Sequence, residues 1–403
     1  MERKYWFPLL ILSTMCFTYF INEFFITATS ALTPVLIVEL GINKGTMGLV
    51  ISALFLIYGL MQIPAGIFTD IIGPRKTILS FTALTTVGVF LFWVSHRLEL
   101  LFAAQFIIGV GCSVFYINAV SIISKWFKAN RRATAIGVLG AASNIGIFAS
   151  YMGFPLADKT FGGWRNLYFL VAVILVVNYA MNFLILRNDP NETGMVHEPS
   201  KKLLGSLRDV LKDRRIYPFL IGYVMLILGM VFNTWMPQIL IDTKGFSYID
   251  AGVIASVGSI AGIPGCIAMG IISDRLRKRK LPLVLFSTLY VVALVSFILA
   301  PPGTPLALFL ILSFSLSFCV SIWVLFFSII PEILSLEKVS IGLGLVNGMG
   351  IIAMSIFTPI YGILIDVTGG YSFSNLVLII VALMMTGILV LFASETYGGV
   401  KRE

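Results

Sequence analysis

Long apolar segments alternate with short polar segments along the whole chain. Each apolar segment holds about 20 or more residues, the length that a helix needs to cross the hydrocarbon core of a bilayer. The pattern predicts twelve membrane-spanning helices, at approximately 7–38, 45–69, 75–95, 98–124, 133–156, 166–186, 216–241, 248–273, 281–300, 305–331, 339–365 and 373–393. The first apolar segment is too long for the apolar region of a cleavable signal peptide, so we expect it to be the first span.

The longest polar segment, residues 187–215, lies at mid-chain and is typical of a linker. We therefore expect a six-helix bundle over residues 1–190, a linker over 191–214 and a second six-helix bundle over 215–403. Within the linker, the leucines from Leu203 to Leu211 predict a short amphipathic helix on the membrane surface.

The two halves repeat each other in sequence. The stretch GIFTDIIGPRK at 66–76 returns in weaker form as GIISDRLRKRK at 270–280, which is 204 residues later. Gly41 and Gly245 are separated by the same 204 residues. Both halves begin on the same side and hold six predicted spans, so they are parallel repeats. Such repeats favour a transporter that works by alternating access.

Composition and charge agree with a membrane protein. Hydrophobic residues make up 58% of the chain and charged residues only 12%. With the N-terminus inside, 23 of the 28 Lys and Arg residues fall in cytoplasmic segments. This asymmetry predicts an inner or plasma membrane protein with both termini in the cytoplasm. It also explains the net charge of +9 without a nucleic-acid partner.

Enzyme chemistry is not indicated by any motif in the sequence. The four cysteines (Cys16, Cys112, Cys266 and Cys319) all fall within predicted spans and match no metal site or disulfide framework. The chain has no nucleotide-binding loop and no nucleophile–base pair. We expect neither an enzyme nor a bound cofactor or metal.

The hairpin G-x-x-x-D-x-x-G-x-R-K, together with twelve spans and the mid-chain linker, resembles the major facilitator superfamily. In that family the hairpin acts as a cytoplasmic latch during rocker-switch alternating access. The resemblance implies that five residues are gating residues: Asp70, Gly73, Arg75, Lys76 and, in the second copy, Asp274. The second copy has Arg277 in place of the inner glycine.

Within the superfamily, the stretches 39–70, 125–137 and 234–247 are similar to organic-anion symporters and organophosphate exchangers. Members of that branch usually carry an Asp-Arg pair in the first helix, where the arginine binds an anionic substrate. The local sequence here is YFINEFF, with Asn22 and Glu23. The arginine typical of drug/proton antiporters is also replaced, by Gln105 in the fourth span.

Glu23 is the one ionisable side chain predicted to lie in the middle of a span. A charge at that depth costs roughly 2.5–3.5 kcal/mol, so such residues usually face a cavity and have a function. Tyr19 and Thr27 share its helix face. Glu23 is expected to carry a proton or to pair with the ammonium of a substrate. The alternative is a structural hydrogen bond to a neighbouring helix.

Other polar and aromatic residues fall in the middle of spans that line the cavity in this family. Each of them has helix packing as its simpler alternative. The candidates for substrate binding, besides Tyr19 and Thr27, are Tyr58, Gln62, Tyr116, Asn118, Asn144, Tyr151, Asn233, Trp235, Gln238, Trp323 and Asn347. As a set they provide amides, hydroxyls and aromatic rings, one acid and no base, which suits a neutral, zwitterionic or cationic solute.

These patterns together predict a secondary active transporter for a small organic solute, proton-coupled through Glu23. An organic-anion transporter and a facilitative uniporter are the alternatives, and a membrane sensor without transport is a remote one. The expected partners are membrane lipid and the small-molecule substrate, and we expect a monomer.

Overall fold

The computed structural model describes residues 3–127, 129–187, 203–335 and 338–397. All regular structure within these residues is helical. The helices before the linker are α1 (Arg3–Ala31), α2 (Thr33–Leu40), α3 (Lys44–Leu60), α4 (Gln62–Ile72), α5 (Pro74–Val94), α6 (Leu98–Ser113), α7 (Phe115–Trp126), α8 (Ala129–Thr160) and α9 (Trp164–Ile185). The linker holds α10 (Leu203–Lys212), followed by a 3₁₀ turn at Arg214–Ile216. The remaining helices are α11 (Tyr217–Gly229), α12 (Val231–Lys244), α13 (Tyr248–Leu276), α14 (Lys280–Leu299), α15 (Leu306–Val320), α16 (Trp323–Ile333), α17 (Val339–Thr368) and α18 (Ser372–Phe392).

Eleven helical segments of the described residues are long and apolar enough to cross a membrane. The one predicted span missing from that set, 45–69, corresponds to α3 and α4, which separate at Met61. Neither α3 nor α4 alone has the length of a span. The prediction of an all-α, multi-pass membrane protein is confirmed.

Prolines explain two of the helix breaks that the apolar pattern does not show. Proline lacks the backbone N–H that would bond the carbonyl four residues earlier. Pro34 follows the break at Leu32 between α1 and α2, and Pro64 follows the break at Met61. The predicted first span, 7–38, is therefore two helices.

The chain divides into two compact units. The first comprises Met1–Ile42 and Val50–Pro199, and the second comprises Asn43–Leu49 and Ser200–Glu403.

In the first unit, α1 packs against α6, α7, α8 and α9. Buried polar side chains join α1 to α9: the Asn182 amide donates to the Thr18 hydroxyl at 2.9 Å, and Thr18 lies 3.0 Å from the Asn178 carbonyl oxygen. The Asn182 amide also bonds Asn178 at 3.0 Å. Apolar surfaces slide past each other easily, so this network fixes how the two helices meet.

At the end of α2, Glu39 ties three helices of the first unit together. Its carboxylate accepts from the Arg165 guanidinium at 2.6 Å and from the Trp164 indole N–H at 2.9 Å, both at the start of α9. Arg165 also donates to the carbonyls of Trp93 and Ser95, at the end of α5. Partial burial raises the pKa of the Glu39 carboxyl, but the Arg165 and Trp164 hydrogen bonds outweigh it and leave the pKa below its ordinary value.

In the second unit, α13 packs against α15, and α11 packs against α17 and α18. The segment Asn43–Leu49 lies against α17 at very close range: a Cβ built on Gly48 would meet the Pro359 Cα at 2.6 Å. Asp366 accepts hydrogen bonds from the backbone N–H groups of Lys44 and Gly45, at 3.2 and 2.6 Å. This carboxylate therefore satisfies free N–H groups at the start of α3.

The sequence repeat is matched by a repeat of local structure. Gly41 ends α2 and Gly245 ends α12, and both adopt left-handed backbone conformations, with φ of 61° and 73°. Glycine takes up this conformation without steric cost, which is why it ends so many helices. The two glycines of the repeat thus perform the same task.

Candidate functional site

Glu23 lies within α1 and is half-buried as a residue. Thr27, one turn later, donates its hydroxyl to the Glu23 backbone carbonyl at 2.7 Å. Its hydrogen bond is thus made inside the helix. The Tyr19 hydroxyl, one turn before Glu23, hydrogen-bonds the Glu23 carboxyl. The predicted stripe Tyr19–Glu23–Thr27 is present, and two of its members are hydrogen-bonded to each other.

Aromatic rings cluster beside Tyr19, the hydrogen-bond partner of this carboxyl. The Tyr19 ring lies 5.8 Å from the Tyr116 ring and stacks on Phe115 at 5.5 Å, measured between ring centroids. Tyr58 on α3 lies within electrostatic reach of Glu23 and Tyr116. Tyr116 is 40% exposed, and Tyr19 and Tyr58 are half-buried. Three partly exposed tyrosines from three helices therefore lie in the region of this carboxyl.

No basic side chain of the described residues pairs with Glu23. The groups within its electrostatic reach are Tyr19, Tyr58 and Cys112, all of which are neutral in their ordinary form. Among the described residues, the Tyr19 hydroxyl stabilises this carboxyl and no cationic side chain does. It can therefore accept a proton or a cation from outside the protein.

The other candidates of the first unit differ in exposure. Gln62 is half-buried and hydrogen-bonds Tyr58, so it belongs to the same cluster. Asn144 is half-buried and donates to the Gly140 carbonyl of its own helix. Tyr151 is buried and hydrogen-bonds Ser30. Asn118 is fully buried and donates to the Val114 carbonyl. The burial of Asn118 and Tyr151 gives no support to a role in binding.

Two buried amides in the first unit were not predicted as site residues. The Asn22 and Gln105 side-chain carbonyl oxygens are buried without a hydrogen-bond partner among the described residues. The Gln105 amide nitrogen hydrogen-bonds the Thr29 hydroxyl on α1. Both residues are polar and fall within predicted spans, and this position was the feature of the sequence that could have identified them.

In the second unit, the candidates do not form one cluster. The Tyr223 hydroxyl donates to the Asn347 amide oxygen at 3.1 Å, joining α11 to α17. Trp235 is fully buried and packs on the Tyr361 ring at 5.9 Å. Asn233 is half-buried, and Trp323 is 37% exposed beside Phe327. Tyr223 was missed because one tyrosine in an apolar segment carries no distinguishing pattern.

Gln238 belongs instead to a charged cluster at the end of α12. Its amide donates to Asp242 at 2.9 Å, and Asp242 also accepts from Tyr371 at 2.6 Å and pairs with Lys44 at 2.9 Å. Burial, and then the hydrogen bond to Asp242, raise the pKa of Tyr371 above its ordinary value, which keeps its hydroxyl a donor. An open cavity of about 620 Å³ lies beside this cluster and is also lined by Asp366. The predicted site residues include Gln238 but not Asp242 or Asp366, and the sequence alone does not show that these side chains come together.

The first copy of the hairpin motif is described only in part, because the Asp70 side chain lies outside the described residues. Gly73 joins α4 to α5 with φ 80° and ψ 156°, a conformation that essentially only glycine adopts. Arg75 donates to the Phe183 carbonyl at 2.9 Å, and Lys76 is exposed.

The second copy holds a charge network within the second unit. Arg279 pairs with Asp274 at 2.8 Å and with Glu332 at 2.8 Å. Thr396 donates its hydroxyl to Glu332 at 2.9 Å. Arg277 has φ 50° and is the one residue other than glycine with a positive φ among the described residues. Asp274 is thus paired, while the predicted gating roles of all five hairpin residues stay predictions.

Metal chemistry finds no donor set in the described parts of the chain. No group of three or more His, Cys, Asp or Glu side chains there is arranged to hold a metal ion. All four cysteines are free thiols.

Comparison with known proteins gives the family. The sequence model described as Major Facilitator Superfamily matches residues 15–350 of this chain. The chain belongs to the major facilitator superfamily. The resemblance noted from the hairpin and the twelve spans is confirmed.

The fold agrees with a solved structure. This chain superimposes with a TM-score of 0.76, at 15% identity, on the crystal structure of a bacterial homologue of the human lysosomal transporter Spinster in an inward-facing and unoccupied conformation. The superposition covers 96% of each chain.

Relatives in sequence carry the names of transporters. The glycerol-3-phosphate transporter of Bacillus subtilis (strain 168) is 26% identical in an alignment of 294 residues that covers 66% of this chain and 66% of that one. A probable galactarate/D-glucarate transporter of Escherichia coli (strain K12) is 25% identical over 313 residues, covering 69% of this chain and 67% of that one. A protein of the same description from Bacillus subtilis (strain 168) is 27% identical over 370 residues, covering 83% and 80%. The chain thus spans about two thirds of the length of the first two relatives.

Proposed function

We propose that this protein is a secondary active transporter that moves a small organic solute by rocker-switch alternating access, with proton coupling through Glu23. The observation that carries the proposal is the half-buried carboxyl of Glu23 in α1, which has a tyrosine hydroxyl but no basic side chain as partner among the described residues. We infer a neutral, zwitterionic or cationic substrate, because an acid without a base offers nothing to an anion.

The energetics favour a coupling role for this carboxyl. A fixed charge within a span costs roughly 2.5–3.5 kcal/mol, and protonation removes that charge. A proton moving down a membrane potential of ~100 mV supplies about 2.3 kcal/mol. At about 1.4 kcal/mol per factor of ten, that energy sustains a solute gradient of around fifty-fold. A carboxyl that loads and releases one proton per cycle is sufficient for accumulation.

An organic-anion transporter is the second candidate, because relatives of this chain are named for glycerol 3-phosphate and for galactarate and D-glucarate. A facilitative uniporter is a further alternative, in which Glu23 contacts the substrate without carrying a proton. The three differ in what happens to protons during transport.

The test is a proton-flux assay with the purified protein in liposomes that contain a pH-sensitive dye. Amino acids, amines, nucleosides, sugars and carboxylates are added one at a time. We expect one class to move protons in the wild type and not in Glu23→Gln. Glu99→Gln is the matched control, since it removes an exposed carboxyl at the start of α6.

Other results would replace the proposal. Solute uptake without proton movement, unchanged by a protonophore, would indicate a uniporter. Proton flux with a carboxylate or phosphate ester that persists in Glu23→Gln would indicate an anion transporter with its binding groups elsewhere.

A further inference from the structure

We propose that Glu23 and the tyrosines around it form a binding site for an organic ammonium ion. The inference rests on the proposed transport function and names its substrate class. It draws on three features of the first unit: an acid without a basic partner among the described residues, the aromatic rings in its region, and the contacts that two arginines of the unit make elsewhere.

The first feature is the electrostatic requirement of the carboxyl. Glu23 is half-buried in α1, and the titratable groups within its reach are Tyr19 on α1, Tyr58 on α3 and Cys112 on α6. None of these supplies a positive charge. An ionised carboxylate in a region of low polarity needs a counter-charge. A substrate ammonium would provide it and would gain a charge-assisted hydrogen bond or contact.

The second feature is the set of aromatic rings. The centroids of Tyr19 and Tyr116 lie 5.8 Å apart, Tyr58 lies within electrostatic reach of both Glu23 and Tyr116, and Tyr116 is 40% exposed. The face of an aromatic ring attracts cations, and groups of rings recognise alkylated ammonium ions. Each well-placed ring contributes about twofold to thirtyfold in affinity. The rings also contact the methyl or methylene groups that such a cation carries.

The third feature is where two arginines of this unit are engaged. Arg165 is bound to Glu39 and to two backbone carbonyls, and Arg75 donates to the Phe183 carbonyl. Neither pairs with Glu23. A phosphate or carboxylate substrate placed beside Glu23 would meet a like charge, and no described side chain of this unit supplies a cation there. The negative charge of this site therefore does not suit the anions for which the relatives are named.

Protons and ammonium ions should compete for this site, because both bind the same carboxyl. A proton and an ammonium ion each neutralise Glu23, and one excludes the other. The affinity for an ammonium ion should fall as the pH is lowered, by up to about tenfold per pH unit where Glu23 is mostly protonated. The same logic makes the coupled process an exchange of one proton for one cation, which moves no net charge and is therefore driven by the pH difference across the membrane and not by the membrane potential.

The experiment compares charged probes with uncharged analogues of the same shape. Choline is paired with 3,3-dimethylbutan-1-ol, and ethanolamine is paired with propan-1-ol. Binding to the purified full chain is measured by calorimetry and by thermal stabilisation at pH 5.5 and 7.5. The variants are Glu23→Gln and Tyr116→Leu, with Glu99→Gln as the control for a lost exposed carboxyl.

We expect at least one ammonium probe to bind tenfold or more tightly than its uncharged analogue, and more tightly at pH 7.5 than at 5.5. Glu23→Gln should remove the charge preference and the pH dependence. Tyr116→Leu should weaken binding by about threefold to thirtyfold. If Glu23→Gln does not fold, the proposal is still tested by the pH dependence of ammonium binding to the wild type and by the affinity of Tyr116→Leu.

Three results would overturn the assignment. They are equal binding of the charged and uncharged partners, no stabilisation by either ammonium probe, and preferential stabilisation by glycerol 3-phosphate or a dicarboxylate. Each of these leaves the proton-flux assay free to support or reject transport itself, so the two proposals fail separately.

Discussion

At the scale of single residues, the two hairpin copies differ in the backbone that joins their helices. Gly73 occupies a conformation that costs other residues about 1–3 kcal/mol. Its counterpart Arg277 ends α13 in the left-handed region, with φ 50° and ψ 41°. That conformation brings the Cβ of an L-residue close to a carbonyl oxygen, at a cost of roughly 1–2 kcal/mol. The second hairpin therefore carries strain that the first avoids.

We expect Arg277→Gly to stabilise the protein by about 1 kcal/mol, because glycine adopts the left-handed region without that contact. The apparent Tm of the purified protein should rise by a few degrees, and Arg277→Ala should give no gain because it keeps the Cβ. Gly73→Ala should lower stability by about 1–3 kcal/mol. Gly137→Ala, in open space on α8, is its control and should be neutral or slightly stabilising. A gain from Arg277→Ala equal to that from glycine would show that side-chain charge, not backbone strain, is responsible.

At the scale of helices, polar contacts at helix ends add a specificity to helix packing that apolar contacts alone do not provide. The Glu39 carboxylate at the end of α2 holds Arg165 and Trp164 at the start of α9, and Arg165 covers carbonyls at the end of α5. Lipid tails offer helices no preferred direction of contact, so such bonds add specificity. The pair is about a quarter to a third exposed, and its contribution is reduced by solvent.

The low pKa of Glu39 in the folded protein makes this contribution depend on pH. A carboxyl whose pKa is lowered on folding adds stability above its ordinary pKa, and that stability is lost as the pH falls through the folded value. Glu39→Gln should therefore lower the apparent Tm at pH 7, and the difference from the wild type should shrink below about pH 4.5. Thermal melts between pH 7 and 3.5 measure it, with Glu99→Gln as control. A difference that is constant over this range would contradict the role of the ionised carboxylate.

At the scale of the whole molecule, the sequence predicts what depends on local pattern. The spans, the mid-chain helix and the repeat follow from hydropathy and from glycines at a fixed offset, and the family comparison confirms the architecture. The isolated acid of Glu23 could also be predicted, because an ionisable residue in a span stands out. Tyr58 and Tyr116 were also candidates from the sequence, but their grouping with that acid could not be predicted, because only folding brings them together. The cluster of Lys44, Asp242 and Tyr371 was hidden for the same reason.

The cycle of the whole molecule is where Asp70 is expected to act, because the family resemblance gives its hairpin a role as a latch. Asp70→Asn should slow transport about tenfold, corresponding to ~1.4 kcal/mol on a conformational step, while substrate affinity changes less than about twofold. Transport in liposomes and binding by calorimetry measure the two quantities, with Glu99→Gln alongside. Normal transport, or a loss of affinity equal to the loss of rate, would argue against the latch.

The buried Thr18, Asn178 and Asn182 network bears on how the chain is made. Thr18 and its partners are separated by 160 and 164 residues, so α1 enters the bilayer long before α9 is synthesised. Until then, the Thr18 hydroxyl can donate to the Thr14 carbonyl of its own helix, but its contacts with Asn178 and Asn182 are not made. The insertion of α9 therefore completes the first unit. A nascent chain that ends before residue 178 would lack the hydrogen-bond partners of Thr18 on α9.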